Sequence, residues 1–295
     1  MVGELDIAWT QALSGLQKLF GASSGTIGEI GVHHGAYFAA LVALSWPGEP
    51  LWACDLFDKM QNLNLDKSGR GNLDGFLRKV SNHTGRKDIH VEARPSYELY
   101  KHNIAPLKPF RILSIDGSHM ETNTFTDLSW ATRHVARGGL LTIDDVASPR
   151  WLGPSRALRA YWHFHDRQYL FLPLLLTPKK LWIVSRRWHS NYSDGISRLS
   201  RSTISGQALT KVGTFRNFVS LLNVNEPRVN GTVDHAPLWL PTPKPSPRVW
   251  FVRSPNYLNT AAARRASAIA TAESTFQQDV ASGKRARTKT HTTQD

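Results

Sequence analysis

Residues 26–44, TIGEIGVHHGAYFAALVAL, read as a short apolar strand, a turn carrying Gly31 and Gly35, and a helix from residue 36 to 44. Strand, glycine turn and helix open an α/β unit, and the chain downstream repeats the alternation. Strands are predicted at residues 50–54, 89–93, 110–115 and 140–143, with helices over 73–80, 96–103 and 122–136 between them. Gly138-Gly139 reads as the stop of the last of these helices. Pro154 introduces a further helix at 155–164, and strands at 169–176 and 180–185 flank Pro178-Lys179 as a hairpin. Upstream, Leu5, Ala8, Trp9, Ala12, Leu13 and Leu16 recur at three- and four-residue spacing and predict an amphipathic capping helix. The pattern predicts an α/β, doubly wound, seven-stranded, mostly parallel sheet with an antiparallel C-terminal hairpin.

Composition excludes several classes. With 41% hydrophobic and 20% charged residues, the 295-residue chain is neither wholly disordered nor fibrous. Its longest apolar run, 169–176, is broken by Pro173 and falls far short of the roughly 20 residues of a membrane span. The first residues carry acids rather than a basic stretch before an apolar core, so no signal peptide is predicted and a cytoplasmic location is expected. Cys54 is the sole cysteine, which excludes internal disulfides and cysteine-built zinc sites. The net charge of +13 is uneven: residues 241–295 hold nine Lys/Arg against three Asp/Glu. Nucleic-acid binding through this tail is therefore a second class of function. The evenly charged body and the lack of an interleaved basic and aromatic motif argue against it. The organisation expected is a capping helix (1–22), a main domain (23–187), an extension without a clear pattern (188–240), and a proline-rich linker with a basic tail (241–295), the linker reading beginning near Pro237.

In such a sheet, ligands gather beyond the carboxyl ends of the strands. Glu29, Asp55, Asp116, Asp144 and Asp145 all fall at predicted strand ends. Five carboxylates on one rim repel one another unless a metal ion, a cationic ligand or hydroxyl donors compensate.

The stretch Glu29-Ile-Gly31-Val-His-His-Gly35 resembles the first motif of class I S-adenosylmethionine-dependent methyltransferases, and the resemblance extends over residues 26–186. It implies a Rossmann-like fold and S-adenosylmethionine as cofactor, with Gly31 and Gly35 admitting close backbone approach and Glu29 facing the ammonium. By the same resemblance Asp55 would bind the ribose hydroxyls, and Arg94 and Ser96 the adenine. His33 departs from the pattern, since many members carry glycine there.

Ile115-Asp116-Gly117-Ser118-His119, with Gly138-Gly-Leu-Leu-Thr-Ile-Asp144-Asp145, is similar to metal-dependent O-methyltransferases of the catechol type and of the macrocin and mycinamicin sugar-modifying type. This resemblance implies Asp116, Asp144 and Asp145 as Mg²⁺ ligands, Asp116 also touching cofactor, and His119 as general base. Catechol-type enzymes carry lysine at the base position and asparagine at the second ligand after strand five. The chain therefore stands nearer the sugar-modifying branch, implying a carbohydrate or glycosylated small-molecule acceptor. The leading helix at residues 5–20 is expected either to cover the cofactor or to pair with a second subunit in a homo-oligomer. A metal-free methyltransferase acting on another acceptor, including nitrogen, is the alternative within the same fold. The polar stretch 57–72 is a candidate lid, and Arg150 and Trp151 are candidate acceptor-pocket residues. His163 and His165 point to different helix faces and do not form a metal pair.

Overall fold

The computed structural model describes residues 4–166 and 170–199 and the backbone of 208–214 and 237–242. The basic tail and most of the 200–240 region lie outside the described residues, so the expectations placed there are not addressed.

Five parallel strands form the centre: β1 (Thr26–Ile30), β2 (Leu51–Asp55), β3 (Ile89–Ala93), β4 (Phe110–Ile115) and β5 (Val135–Asp144). The hairpin β6 (Phe171–Leu176) and β7 (Lys180–Ser185) adds antiparallel strands, β7 pairing with β5. Two further strands, β8 (Ala208–Thr214) and β9 (Pro237–Thr242), extend the sheet, giving the order β3-β2-β1-β4-β5-β7-β6-β9-β8. The first seven positions are the doubly wound sheet that the sequence predicts. β9 occupies the start of the segment read as a linker; its alternating prolines suppress a strand reading, yet β9 touches β6 at a single residue pair, Leu175 with Trp239.

The helices are α1 (Glu4–Phe20), α2 (Ala36–Ala43), α3 (Leu73–Thr84), α4 (Tyr97–Lys101), α5 (Glu121–Ala131), α6 (Gly153–Ala160) and α7 (Arg186–Leu199). None of the described helices is long and apolar enough to cross a membrane. Two departures from the sequence reading have physical causes. α5 ends at Ala131 rather than 136, because Val135 already pairs with Phe110 in the sheet. Gly138, with φ of 76°, then sits within β5 at an irregularity where the register with β4 shifts, so it bends a strand instead of ending a helix. α7 was not predicted: it follows β7 without a turn, and its buried face includes His189, Tyr192, Ser193 and Ile196. It packs on α1 where Gly195 leaves room for Leu16 and Phe20, and the Tyr192 hydroxyl donates to the Gly138 carbonyl at 2.6 Å.

Alternation along the strands divides the core into two layers. Leu113, Trp52, Cys54, Trp130 and Leu158 pack on one face, and Ile112, Leu51, Phe38, Trp9 and Trp182 on the other. Within the second layer, Arg111 of β4 is fully buried and donates to both carboxylate oxygens of Glu49 (2.7 and 2.8 Å), to Ser14 and Gln17 of α1, and to the Leu44 carbonyl. α1 is thereby locked to the sheet.

Candidate active site

The strand order reverses between β1 and β4, and a cavity of about 410 Å³ opens there at the carboxyl ends of the strands. Gly31 lies on its floor with φ of 84°, and a Cβ at this position would collide with the Asp116 carbonyl. Only glycine lets the ends of β1 and β4 approach this closely. Asp55 lines the cavity and anchors two turns: its Oδ2 accepts the His33 N–H and its Oδ1 the Phe57 N–H, each at 2.8 Å. His33, in the left-handed region at φ 50°, joins the lining; burial, reinforced by the neighbouring His34, holds its pKa below the usual value.

Arg94 and Ser96 also line the cavity. The Arg94 guanidinium lies 2.7 Å from Glu92 and 3.8 Å from Glu98, and Ser96 opens α4. Two glycine-motif residues have other roles. Gly35, φ 75°, begins α2 and packs against Phe76, outside the lining. Glu29 is 1% exposed and is not among the residues that line the cavity. Burial pushes its carboxyl well above the usual range, with Lys180 opposing.

His119 sits on the opposite wall and is held on both ring nitrogens. Nε2 is 3.1 Å from Asp145 Oδ2 and Nδ1 is 3.3 Å from Asp66 Oδ2, while the ring stacks on Trp151 at 4.4 Å. Asp66 also accepts the His119 backbone N–H at 2.6 Å and the Ser118 hydroxyl at 3.2 Å. It belongs to the polar segment between β2 and α3, which thus closes over the rim and lines the cavity with Gln61, Asn64 and Ser68. Burial disfavours the charged imidazole, but the hydrogen bond to Asp145 and the charge of Asp66 outweigh it, and the His119 pKa stands above its ordinary value. The His119 hydrogen bond holds the Asp145 carboxyl low. Burial pushes the Asp66 carboxyl up, but hydrogen bonds from Ser68 and His119 prevail and hold it below the usual range.

Asp116 and Asp144 face a different partner. The Lys180 ammonium, 3% exposed, lies 3.6 Å from Asp116 Oδ2 and 3.2 Å from Asp144 Oδ1, and 4.2 Å above the Tyr37 ring. Burial pushes the Asp116 carboxyl up to about 7, with Lys180 opposing and Asp144 adding to the rise. The three aspartates expected to hold Mg²⁺ therefore separate: Asp116 and Asp144 share an internal cation, while Asp145, in the left-handed region at φ 55°, turns to His119. Among the described residues no group of three His, Cys, Asp or Glu side chains converges as a metal site requires. The donor set present does not fit Mg²⁺. The cavity does suit the expected cofactor in its chemistry, because Asp55 offers carboxylate acceptors and Gly31 and Gly117 bring backbone to the lining.

Residues 29–146 match a family described as a methyltransferase domain. That stretch is similar to a methyltransferase domain. The match runs from the last residues of β1 to just beyond β5. No curated protein matches the chain. Among solved structures, the O-methyltransferase NovP is similar at 12% identity, covering 61% of this chain and 79% of NovP with a TM-score of 0.50, which shows the fold. An O-methyltransferase from Bacillus cereus in complex with SAH is 15% identical over 63% of this chain and 83% of its own, with a TM-score of 0.43. CalS11, a TDP-rhamnose 3'-O-methyltransferase, is 17% identical over 60% and 78%, with a TM-score of 0.45.

Two residues around the cavity rim escaped the sequence reading. Lys180, directly after Lys179 of the turn, opens an apolar strand, and its antiparallel register with Asp144 is what brings it to the rim. That mismatch of charge and strand was a usable signal. Asp66 lies in a loop rich in polar residues, and nothing in its neighbours distinguishes it.

Proposed function

We propose that this chain transfers the methyl group of S-adenosylmethionine to a hydroxyl of a small acceptor, a carbohydrate or glycosylated molecule, with His119 as general base. The observation that carries the reading is the His119 imidazole, held at the cavity wall between Asp66 and Asp145 and stacked on Trp151. Bound in the cavity, S-adenosylmethionine supplies a methyl on a sulfonium that brings its own leaving group. The protein then needs to orient the acceptor and remove one proton. Asp55 would hold the ribose, with Arg94 and Ser96 beside the base. In its neutral form the His119 ring keeps its N–H on one flanking carboxylate, and the other nitrogen exchanges its carboxylate neighbour for the acceptor hydroxyl. The proton moves to that nitrogen as the acceptor oxygen bonds to the methyl carbon, and the carbon–sulfur bond breaks with its electron pair left on sulfur. The two flanking carboxylates stabilise the imidazolium that forms. Trp151 already uses its ring to support His119, so its role in this proposal is to fix the base rather than to stack a sugar.

Calorimetric titration of S-adenosylmethionine and of its demethylated product, followed by methyl transfer to hydroxylated acceptors, tests the reading. Binding of both ligands is expected. His119→Ala should retain that binding while turnover falls on the order of 10²-fold or more. Absence of binding to the intact protein would overturn the proposal.

A further inference from the structure

Asp116 and Asp144 stand side by side at the ends of neighbouring parallel strands, at the edge of the proposed methyl-transfer site. Two carboxylates so placed need positive charge, and here the fold itself provides it. Lys180 is paired with Asp144 in the β5–β7 register, its backbone N–H is held at 2.9 Å by the Thr177 hydroxyl, and Thr177 in turn donates to Asp6 of α1 at 2.6 Å. The side chain passes over Tyr37, whose hydroxyl lies 2.6 Å from that of Thr10 on α1. Strand register, the hairpin turn and α1 thus place the ammonium, which is 3% exposed, against the two carboxylates. Glu29 and Tyr37 complete the surroundings of the ammonium, along with Asp6 beneath it.

Mg²⁺ binds oxygen at roughly 2.0–2.1 Å and demands near-octahedral geometry. An ion taking the Asp116 and Asp144 oxygens that face Lys180 would be placed against a buried ammonium of like charge. The third expected ligand, Asp145, is engaged by His119 on the other side. We infer that Lys180 supplies, from within the fold, the cation that Asp116 and Asp144 require, so that methyl transfer by this chain is independent of divalent metal. This inference rests on the methyl-transfer reading above, and it makes Lys180 a positioning residue: it holds Asp116 and Asp144 while taking no part in the transfer.

The test uses the intact wild-type protein and Mn²⁺ as a spectroscopic probe. Mn²⁺ is titrated in while electron paramagnetic resonance follows the free ion, and methyl transfer is measured in EDTA and in excess Mg²⁺. No uptake at the aspartates and equal turnover in both media are expected. Binding of one Mn²⁺ per chain that is lost in Asp144→Asn would overturn the inference, as would turnover abolished by EDTA and restored by Mg²⁺. Uptake that survives both Asp144→Asn and Asp116→Asn lies elsewhere and leaves it standing. Because the metal titration needs no turnover, its outcome is separate from that of the S-adenosylmethionine titration, on which the methyl-transfer reading stands or falls.

Discussion

Two buried cations hold this sheet from opposite ends, and they do so differently. Arg111, near the start of β4, directs hydrogen bonds to Glu49, Ser14, Gln17 and the Leu44 carbonyl, matching its five N–H donors with five bonds. Lys180, at the far end beside the cavity, lies within ion-pair distance of Asp116 and Asp144, yet its ammonium has no well-formed hydrogen bond, and neither has Asp144 Oδ1. A saturated network fixes one arrangement of elements, which suits the joint between α1 and the sheet. An unsaturated one retains electrostatic attraction while leaving lone pairs and protons unspent, which suits a rim that must meet a ligand. Burial is equal at the two cations; satisfaction is what separates structure from site.

The largest effect is expected at the saturated end. Arg111→Met strands Glu49, which is 2% exposed, and loss of one partner of a buried pair costs roughly 3–5 kcal/mol. Urea denaturation should register that loss. Lys180→Met should cost less, about 1–2 kcal/mol at pH 7, because Asp116 is part-exposed to the cavity and its raised pKa lets it take up a proton. The cost should shrink further toward pH 5 as Asp116 protonates. Equal losses in the two variants would show that the clusters are of one kind and break the comparison.

A smaller effect, read on function, sharpens it at the His119 wall. The pKa of this imidazole is raised, chiefly through Asp145 among its favourable partners, so the ring stays protonated beyond its ordinary range and cannot accept a proton there. The rate should therefore rise with pH, with an inflection above the ordinary histidine value of about 6.5. Asp145→Asn removes the charge that favours imidazolium and should move that limb of kcat/KM to lower pH. A limb that does not move would separate His119 from the proton transfer.

The sheet was legible because apolar strands and glycine turns recur along the chain, and the rim acids followed from where those strands end. What the sequence did not disclose was pairing across distance. Val135 looks helical until Phe110 is seen opposite it, and Gly138 looks like a helix stop until the strand bends there. The same blindness affected the site. Asp116, Asp144 and Asp145 share a rim in sequence logic, but whether they share a ligand depends on the β5–β7 register that delivers Lys180 and on a loop that delivers Asp66. Burial of Glu29 likewise depends on what packs around it, which its proximity to Gly31 does not reveal.

Asp127 of α5 takes the comparison to its limit, a carboxylate with neither hydrogen-bond saturation nor a cation. It is 1% exposed, neither oxygen has a well-formed hydrogen bond, and burial pushes it up to about 7, opposed by the Ser96 hydroxyl. In the folded chain it is a neutral acid up to that pH, whereas in the unfolded chain it ionises from about pH 4. The unfolded state thus gains stability as pH rises through this window, and the wild-type fold loses it. Asparagine has nearly the same shape and no proton to lose. Asp127→Asn should therefore raise Tm at pH 8, with the gain shrinking progressively toward pH 5. A gain independent of pH would mean that the acid is ionised in the fold or neutral in both states, and either would remove the distinction between an unpaired carboxylate and the one that Lys180 accompanies.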